Sequence, residues 1–141
     1  MRENCIFCKI AAGMIPSETV YEDELFRAIL DLGPASAGHT LILPKKHFKD
    51  VTELKEPYAS QVLPVAAKIG AAMKKGLGCA GFNLVQNNGE AAGQTVMHFH
   101  MHVIPRYEGE TDKIASWEPK SPAMEELAEN GEMIRVALNK K

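Results

Sequence analysis

The sequence lacks the features that place a protein in a membrane or carry it across one. No apolar stretch in the 141 residues approaches the roughly 20 residues that a transmembrane helix needs. The segment Met-Arg-Glu-Asn-Cys-Ile-Phe-Cys at residues 1–8 is too polar for the apolar region of a signal peptide. We therefore expect a cytoplasmic protein without a membrane partner.

An excess of charge of one sign is also missing. The 16 Lys and Arg residues against 18 Asp and Glu give a formal net charge of -2, and the basic residues form no stripe. We expect no nucleic-acid partner, because neutralising a run of phosphates requires such a stripe. With 45% hydrophobic residues and no internal repeat, residues 1–141 fit one compact domain.

Cysteine is scarce, with three residues in the chain, and an odd number in a reducing compartment excludes a disulfide framework. Cys5 and Cys8 form a CxxC pair, whose spacing suits metal binding or redox chemistry. A redox CxxC normally opens a helix after a strand in a βαβ pattern, and that pattern is absent here. Cys79 is typical of a small buried apolar residue.

The pattern of apolar residues and turn signals predicts four strands and two helices. The strands are expected at residues 25–30, 39–43, 82–86 and 96–104. A main helix is expected over residues 57–76, with a kink at Pro64 or a start near it. Ser121-Pro122 favours the start of a C-terminal helix. This order predicts an α+β fold, an antiparallel β-sheet with helices packed on it.

Three of the five histidines fall in one segment, as His98, His100 and His102. On a strand, strict alternation sends the three imidazoles to one face and the apolar side chains between them to the other. The first and third imidazoles would then lie about 13 Å apart, too far to bind one metal ion together. A chance run on a polar strand face is the plain alternative.

A neutral imidazole is a competent nucleophile at phosphorus, and its ordinary pKa of about 6.5 leaves it largely uncharged near neutrality. The loop before the histidines, residues 87–95, is rich in Gly, Asn, Gln and Thr, which supply donors for an oxyanion. His100, at the centre of the run, is the candidate nucleophile. Its neighbours are suited to fix its tautomer or to supply a proton.

The segment His-Phe-His-Met-His-Val-Ile at residues 98–104 matches the His-φ-His-φ-His-φ-φ signature of the histidine triad superfamily, and Gly93-Gln94-Thr95 matches its lead-in. The resemblance runs from Cys5 to about Arg106 through Ile15-Pro16, Tyr21-Glu22-Asp23, Gly38-His39 and the segment 42–47, Ile-Leu-Pro-Lys-Lys-His. Residues 107–141 are left as a C-terminal extension. The chain resembles most the branch of small nucleoside phosphoramidases and dinucleotide hydrolases.

This resemblance implies an enzyme that cleaves a P–N or P–O bond at the α-phosphate of an AMP-like purine nucleotide, with no catalytic metal. His100 would carry a covalent nucleotidyl intermediate, His102 would contact the phosphate or leaving group, and His39 would support the cluster. Asp31 would bind the ribose hydroxyls, in competition with a role in capping its own turn. The other substrate-binding residues that the resemblance implies are Leu32, Asn87, Gly93, Gln94, Thr95, Phe7 and Ile10. Ile6, Ile29 and Leu41 would be further apolar walls of the base site. Ordinary core packing is the alternative for each apolar residue.

The CxxC pair offers two thiolates, and two histidines would complete a tetrahedral S2N2 shell around zinc. With the other three histidines assigned to catalysis, His47 and His98 are the candidates. Members of the family that have this N-terminal cysteine pair resemble this chain and bind zinc. The resemblance therefore implies that Cys5, Cys8, His47 and His98 bind a structural Zn²⁺. Two unligated thiols are the alternative.

Two other functional readings follow from the same residues. A metal-dependent hydrolase would use His98 and His100 to chelate an ion with an open position. A zinc-stabilised nucleotide sensor or interaction module would bind the nucleotide with little turnover. The resemblance also implies a homodimer, in which Trp117 and the terminal helix would line the interface or close the partner's site; packing of Trp117 on its own subunit is the alternative.

Overall fold

The computed structural model describes residues 1–110 and 118–139. The chain divides into two compact units, Met1–Thr111 and Asp112–Lys141. The predicted role of Trp117 lies outside the described residues. No helix in the described part of the chain has both the length and the apolar character needed to cross a bilayer.

The first unit is built on a five-stranded sheet in which every neighbouring pair is antiparallel. The strands are β1 (Thr19–Glu22), β2 (Phe26–Leu30), β3 (Thr40–Pro44), β4 (Gly81–Val85) and β5 (Met101–Arg106). Their spatial order is β1-β2-β3-β5-β4. The predicted antiparallel α+β architecture is confirmed.

The main helix, α2 (Tyr58–Leu77), covers one face of this sheet. Its apolar residues recur at helical spacing, so that Val65, Ile69 and Met73 are buried in a cluster with residues of β2, β3 and β5. The helix runs through Pro64 and does not begin there. It ends at Gly78, whose φ of 71° is the left-handed conformation that glycine adopts without strain.

A short helix that the pattern did not predict, α1 (Ile6–Ala11), packs on the other face. Cys5 caps it, because the Cys5 Sγ accepts a hydrogen bond from the backbone N–H of Cys8 at 3.3 Å. Ile10 and Ala11 are buried with apolar residues of β2 and β3. This packing places α1, which follows Cys5 and contains Cys8, against β3, the central strand of the sheet.

The strand predicted over residues 96–104 is shorter than expected, since β5 begins at Met101. Of the three clustered histidines, only His102 lies on the strand, opposite Leu41 of β3 and Val85 of β4. Ahead of it the chain leaves the sheet, and the N–H of Phe99 donates to the carbonyl of Phe48 at 2.6 Å. The expectation of three imidazoles along one strand was therefore wrong in its extent.

In the second unit, α3 (Met124–Leu138) confirms the predicted C-terminal helix. It begins after Ala123 and has no side-chain cap, so the predicted cap at Ser121 was wrong. No residue of this helix is buried.

Candidate active site and metal centre

The His98 side chain is fully buried, and its two ring nitrogens have different partners. Nε2 lies 2.9 Å from the carbonyl oxygen of Pro44. A carbonyl can only accept, so Nε2 carries the proton and donates. The lone pair is then on Nδ1, which lies 3.4 Å from the Cys5 Sγ and 3.5 Å from the Cys8 Sγ.

His47 completes this cluster from the segment after β3, with its Nδ1 3.3 Å from the Cys8 Sγ. The four potential ligand atoms all lie within 4.8 Å of one another. A tetrahedral ion with bonds of about 2.3 Å to sulfur and 2.0–2.1 Å to nitrogen separates S and N ligands by about 3.6 Å. The observed separations of 3.3 to 3.5 Å are close to that value. Cys5, Cys8, His47 and His98 can therefore hold a metal ion, and we call them the metal cluster.

The ionisation of these groups is compatible with metal binding. Burial raises the pKa of the Cys5 thiol and lowers the pKa of His98 to about 4. Burial also lowers the pKa of His47, with a smaller contribution from Arg2. The imidazoles are thus neutral near pH 7, which is the form that coordinates a metal, and a bound cation would favour the thiolates.

His100 follows two residues later and is oriented by the same segment. Its Nδ1 donates to the backbone carbonyl of His98 at 2.8 Å, so the lone pair is on Nε2. The edge-on Phe7 ring packs against the imidazole, with centroids 4.9 Å apart. Burial lowers the pKa of His100. The result is a neutral imidazole in one defined tautomer.

His39 and His102 form a chain of hydrogen bonds beside His100, and the three residues together are called the histidine relay. The backbone N–H of Ala35 donates to the His39 Nδ1 at 3.0 Å, so the proton of His39 is on Nε2. That N–H donates to the His102 Nδ1 at 2.9 Å. His102 therefore presents an Nε2–H donor. The His102 and His100 ring centroids lie 5.1 Å apart, and burial lowers the pKa of His102 to about 4.

Asp31 lies next to this chain, with its Oδ2 3.6 Å from the His39 Nε2. Its Oδ1 accepts from the N–H of Gly33 at 2.8 Å, which is the turn-capping contact expected for an Asp at this place. Asp31, His39 and His102 could also hold an ion by proximity. Two nitrogen ligands of one tetrahedral ion stand about 3.3 Å apart. The 2.9 Å between His39 and His102 favours a hydrogen bond instead.

Gln94 is buried, and both the oxygen and the nitrogen of its side-chain amide hydrogen-bond to backbone groups. Oε1 accepts from the N–H of Gly89 at 2.8 Å, while Nε2 donates to the carbonyls of Lys49 at 2.8 Å and Val96 at 3.0 Å. Gln94 thus ties the loop before the histidines to the segment that carries His47. Thr95, the next residue, is exposed, and Gly93 has a φ of 95° with its α-carbon facing the Asn87 amide.

The apolar residues predicted to enclose a base fall into two groups. Ile10, Ile29 and Leu41 are buried in one cluster against which Phe7 packs. Leu32 is fully exposed and Ile6 is 52% exposed, so the structure leaves these two outside that cluster.

Sequence reasoning missed the groups that set the tautomers: the N–H of Ala35 and the carbonyls of Pro44 and His98. They are backbone groups and leave no residue-type signal.

Comparison with known proteins shows the family of this chain. A family model described as the HIT domain matches residues 12–109. "Protein hit" of Bacillus subtilis is 50% identical over 105 residues, which cover 74% of this chain and 72% of the relative. The adenosine 5'-monophosphoramidase hnt1 of Schizosaccharomyces pombe is 37% identical over 131 residues, 93% of this chain and 96% of the relative. The crystal structure of a zinc-bound histidine triad family protein from Mycobacterium smegmatis superposes with a TM-score of 0.75 at 38% identity, covering 96% of this chain and 93% of that one.

Proposed function

Because the chain belongs to the HIT-domain family, we propose that it hydrolyses a P–N or P–O bond at the α-phosphate of an AMP-like purine nucleotide. His100 forms a covalent nucleotidyl intermediate in this proposal. The observation that carries it is the hydrogen bond from the His100 Nδ1 to the His98 carbonyl at 2.8 Å, which leaves a lone pair on Nε2. A relative named as an adenosine 5'-monophosphoramidase supports the substrate class.

The reaction has two steps, and the histidine relay assists them by hydrogen bonding. The His100 Nε2 attacks phosphorus, the bond to the leaving group breaks, and the departing nitrogen or oxygen takes a proton from solvent water while the Nε2–H of His102 hydrogen-bonds to it. Water then attacks the nucleotidyl-histidine. The P–Nε2 bond breaks, the attacking water gives one proton to solvent, and the nucleoside monophosphate leaves.

The nucleotide would lie across α1 and the ends of the central strands. Asp31 binds the ribose hydroxyls with its Oδ2, since its Oδ1 is engaged by Gly33. The apolar cluster with Phe7 and Ile10 receives the base. Thr95, Asn87 and the backbone around Gly93 contact the phosphate. We assign Gln94 the role of positioning this loop, because its amide is committed to backbone partners.

We propose that zinc occupies the metal cluster and has a structural role. Two thiolates and two neutral imidazoles are a donor set that zinc binds tightly, and four protein ligands leave no position for a reactive water. When bound, the ion would hold α1 and the segments that carry His47 and His98 together. The named zinc-bound relative supports this identity.

The test is intact-protein mass spectrometry after rapid mixing with an adenosine 5'-phosphoramidate. An adduct with the added mass of an adenylyl group is expected on the native protein and absent from the His100→Ala variant. A zinc-stabilised sensor, the competing proposal, predicts stoichiometric AMP binding without multiple turnover. Chelator treatment that abolished turnover while AMP binding and the fold persisted would favour a metal-dependent hydrolase instead.

Three further expectations stay predictions. They are the homodimer, the cytoplasmic location, and the treatment of residues 1–141 as one HIT-like domain with an extension after residue 106. Sedimentation of the full chain tests the first of them.

A further inference from the structure

A cavity of about 490 Å³ lies beside the metal cluster, and the proposed function above assigns no group to it. Cys5 and His47 form part of its wall. Among the described residues that line it, neither His100 nor Asp31 appears, so it is separate from the place proposed for the nucleoside. The rest of its lining combines charged and polar side chains with three apolar ones, Ile6, Val96 and Met97.

Charge in this cavity favours an anion. Arg2 and Lys49 contribute two cations, and Glu53 contributes one carboxylate. The Glu53 Oε1 is already engaged, because it accepts from the backbone N–H of Lys49 at 2.8 Å. Within residues 1–110 and 118–139, neither the Arg2 guanidinium nor the Lys49 ammonium forms an ion pair. A divalent ion held by two thiolates and two neutral imidazoles has no net charge, so metal binding preserves this excess.

Its position relates the cavity to the phosphorus end of the substrate. Thr95, which the proposed function places at the phosphate, also lines the cavity. Ile6 lines it as well, and the next residue, Phe7, packs on the His100 ring. The cavity therefore begins where the reacting phosphate is expected. It lies beside the first turn of α1, whereas the apolar cluster proposed for the base includes Ile10 from the last turn.

We propose that this cavity is the leaving-group subsite and that Arg2 and Lys49 select a leaving group bearing a carboxylate or another anionic group. This proposal rests on the proposed function, because it assumes that a nucleotide is cleaved at His100. The Asn4 side chain offers an additional amide donor in the same cavity. The subsite adds binding energy without a new chemical step, so its effect belongs in KM.

The test compares two adenosine 5'-phosphoramidates whose amines are β-alanine and β-alaninamide. These leaving groups have the same size and differ in one negative charge. We expect the native protein to prefer the carboxylate compound by about tenfold in kcat/KM, mainly through KM, with the preference weakening as salt is raised. In Arg2→Gln/Lys49→Gln the two compounds should be cleaved within about twofold of each other.

Two further variants separate charge from structure. Lys49→Arg keeps the cation and should keep the preference, while Lys68→Gln removes an exposed lysine of α2 outside the cavity and should leave the preference unchanged. Equal cleavage of both compounds by the native protein, or an unchanged preference in the double variant, would overturn the subsite. If neither compound is cleaved, the proposed function fails. The binding affinities of the native protein for the two compounds, measured by calorimetry, then test the cavity separately, and equal affinities would overturn it.

Discussion

The metal cluster and the histidine relay use the same side chain in opposite ways, although they adjoin on one short segment. In the metal cluster the backbone carbonyl of Pro44 accepts a hydrogen bond from the His98 Nε2–H, so the Nδ1 lone pair faces two thiols. In the relay the His98 carbonyl accepts a hydrogen bond from the His100 Nδ1–H, so the lone pair of His100 is on Nε2. The contrast teaches that the backbone partner of each ring decides which of its nitrogens keeps a lone pair and what that lone pair faces.

Replacing His100 with Ala should give the largest effect that distinguishes the histidine relay from the metal cluster. We expect turnover to fall by at least about 10³-fold, because the attacking nitrogen is lost. Metal content, measured by atomic emission, should stay at the native value, because His100 contributes no ligand to the metal cluster. Loss of metal together with activity would contradict the division between the clusters.

Whereas His100→Ala should affect turnover, Cys8→Ser should affect mainly the stability of the fold. Removal of one thiolate weakens the four-ligand site that holds α1, and we expect Tm to fall by at least about 10 °C. The measurement is the difference in Tm with and without a chelator, which should shrink in Cys8→Ser. Cys79→Ser, a buried cysteine outside the cluster, is the matched control and should keep the full chelator effect. An equal chelator effect in both variants would argue against the metal cluster.

Gln94→Ala tests whether the two clusters depend on one shared support. It leaves the Gly89 N–H and the carbonyls of Lys49 and Val96 without their partner, at an expected cost of about 3 kcal/mol in the free energy of unfolding. Urea unfolding measures this cost, and KM for the nucleotide should rise with it. Gln61→Ala, on the exposed face of α2, should change neither quantity.

Lowering the pH should reduce the free energy of unfolding of the metal-free protein through His102 of the histidine relay, and this effect should be smaller than those above. Burial lowers the pKa of His102 to about 4, against about 6.5 in the unfolded chain. The unfolded state therefore binds the extra proton first as pH falls, and stability present above about pH 6.5 is lost progressively down to about pH 4. After discounting for partial solvent screening, we expect a loss of about 1–2 kcal/mol from this group.

The measurement is urea unfolding between pH 7.5 and pH 4. In His102→Asn the dependence on pH should be shallower by the contribution of that one group. An identical slope in the two proteins would contradict the assignment of a neutral, buried His102.

Much of the fold could be predicted from sequence because its periodic elements are long. The apolar spacing in α2 and the strands around Phe26–Leu30 and Thr40–Pro44 gave the right element types and the antiparallel sheet. The six residues of α1 and the four of β1 are too short for a period to appear. The late start of β5, which leaves residues 96–100 outside the sheet, has another cause, since the Phe99 N–H bonds to the Phe48 carbonyl instead of to a neighbouring strand.

The site was predictable in its residue types and less so in its contacts. The CxxC spacing pointed to Cys5 and Cys8, and the family resemblance implied His47 and His98; the structure brings these four residues together as the metal cluster. The enclosed position of Gln94 and the exposure of Leu32 depend on loop paths that no local pattern encodes. For the same reason, the pairing of each ring nitrogen required three-dimensional coordinates.

The bond from Ala35 to the His39 Nδ1 has an implication for how this chain tolerates change. Its donor is a main-chain amide, so many side chains are acceptable at position 35 provided that the turn keeps its path. Proline is the exception, since it has no amide hydrogen to give. A substitution in a residue whose side chain has no chemistry of its own would then release the His39 ring, on whose orientation the hydrogen bonding of His102 depends.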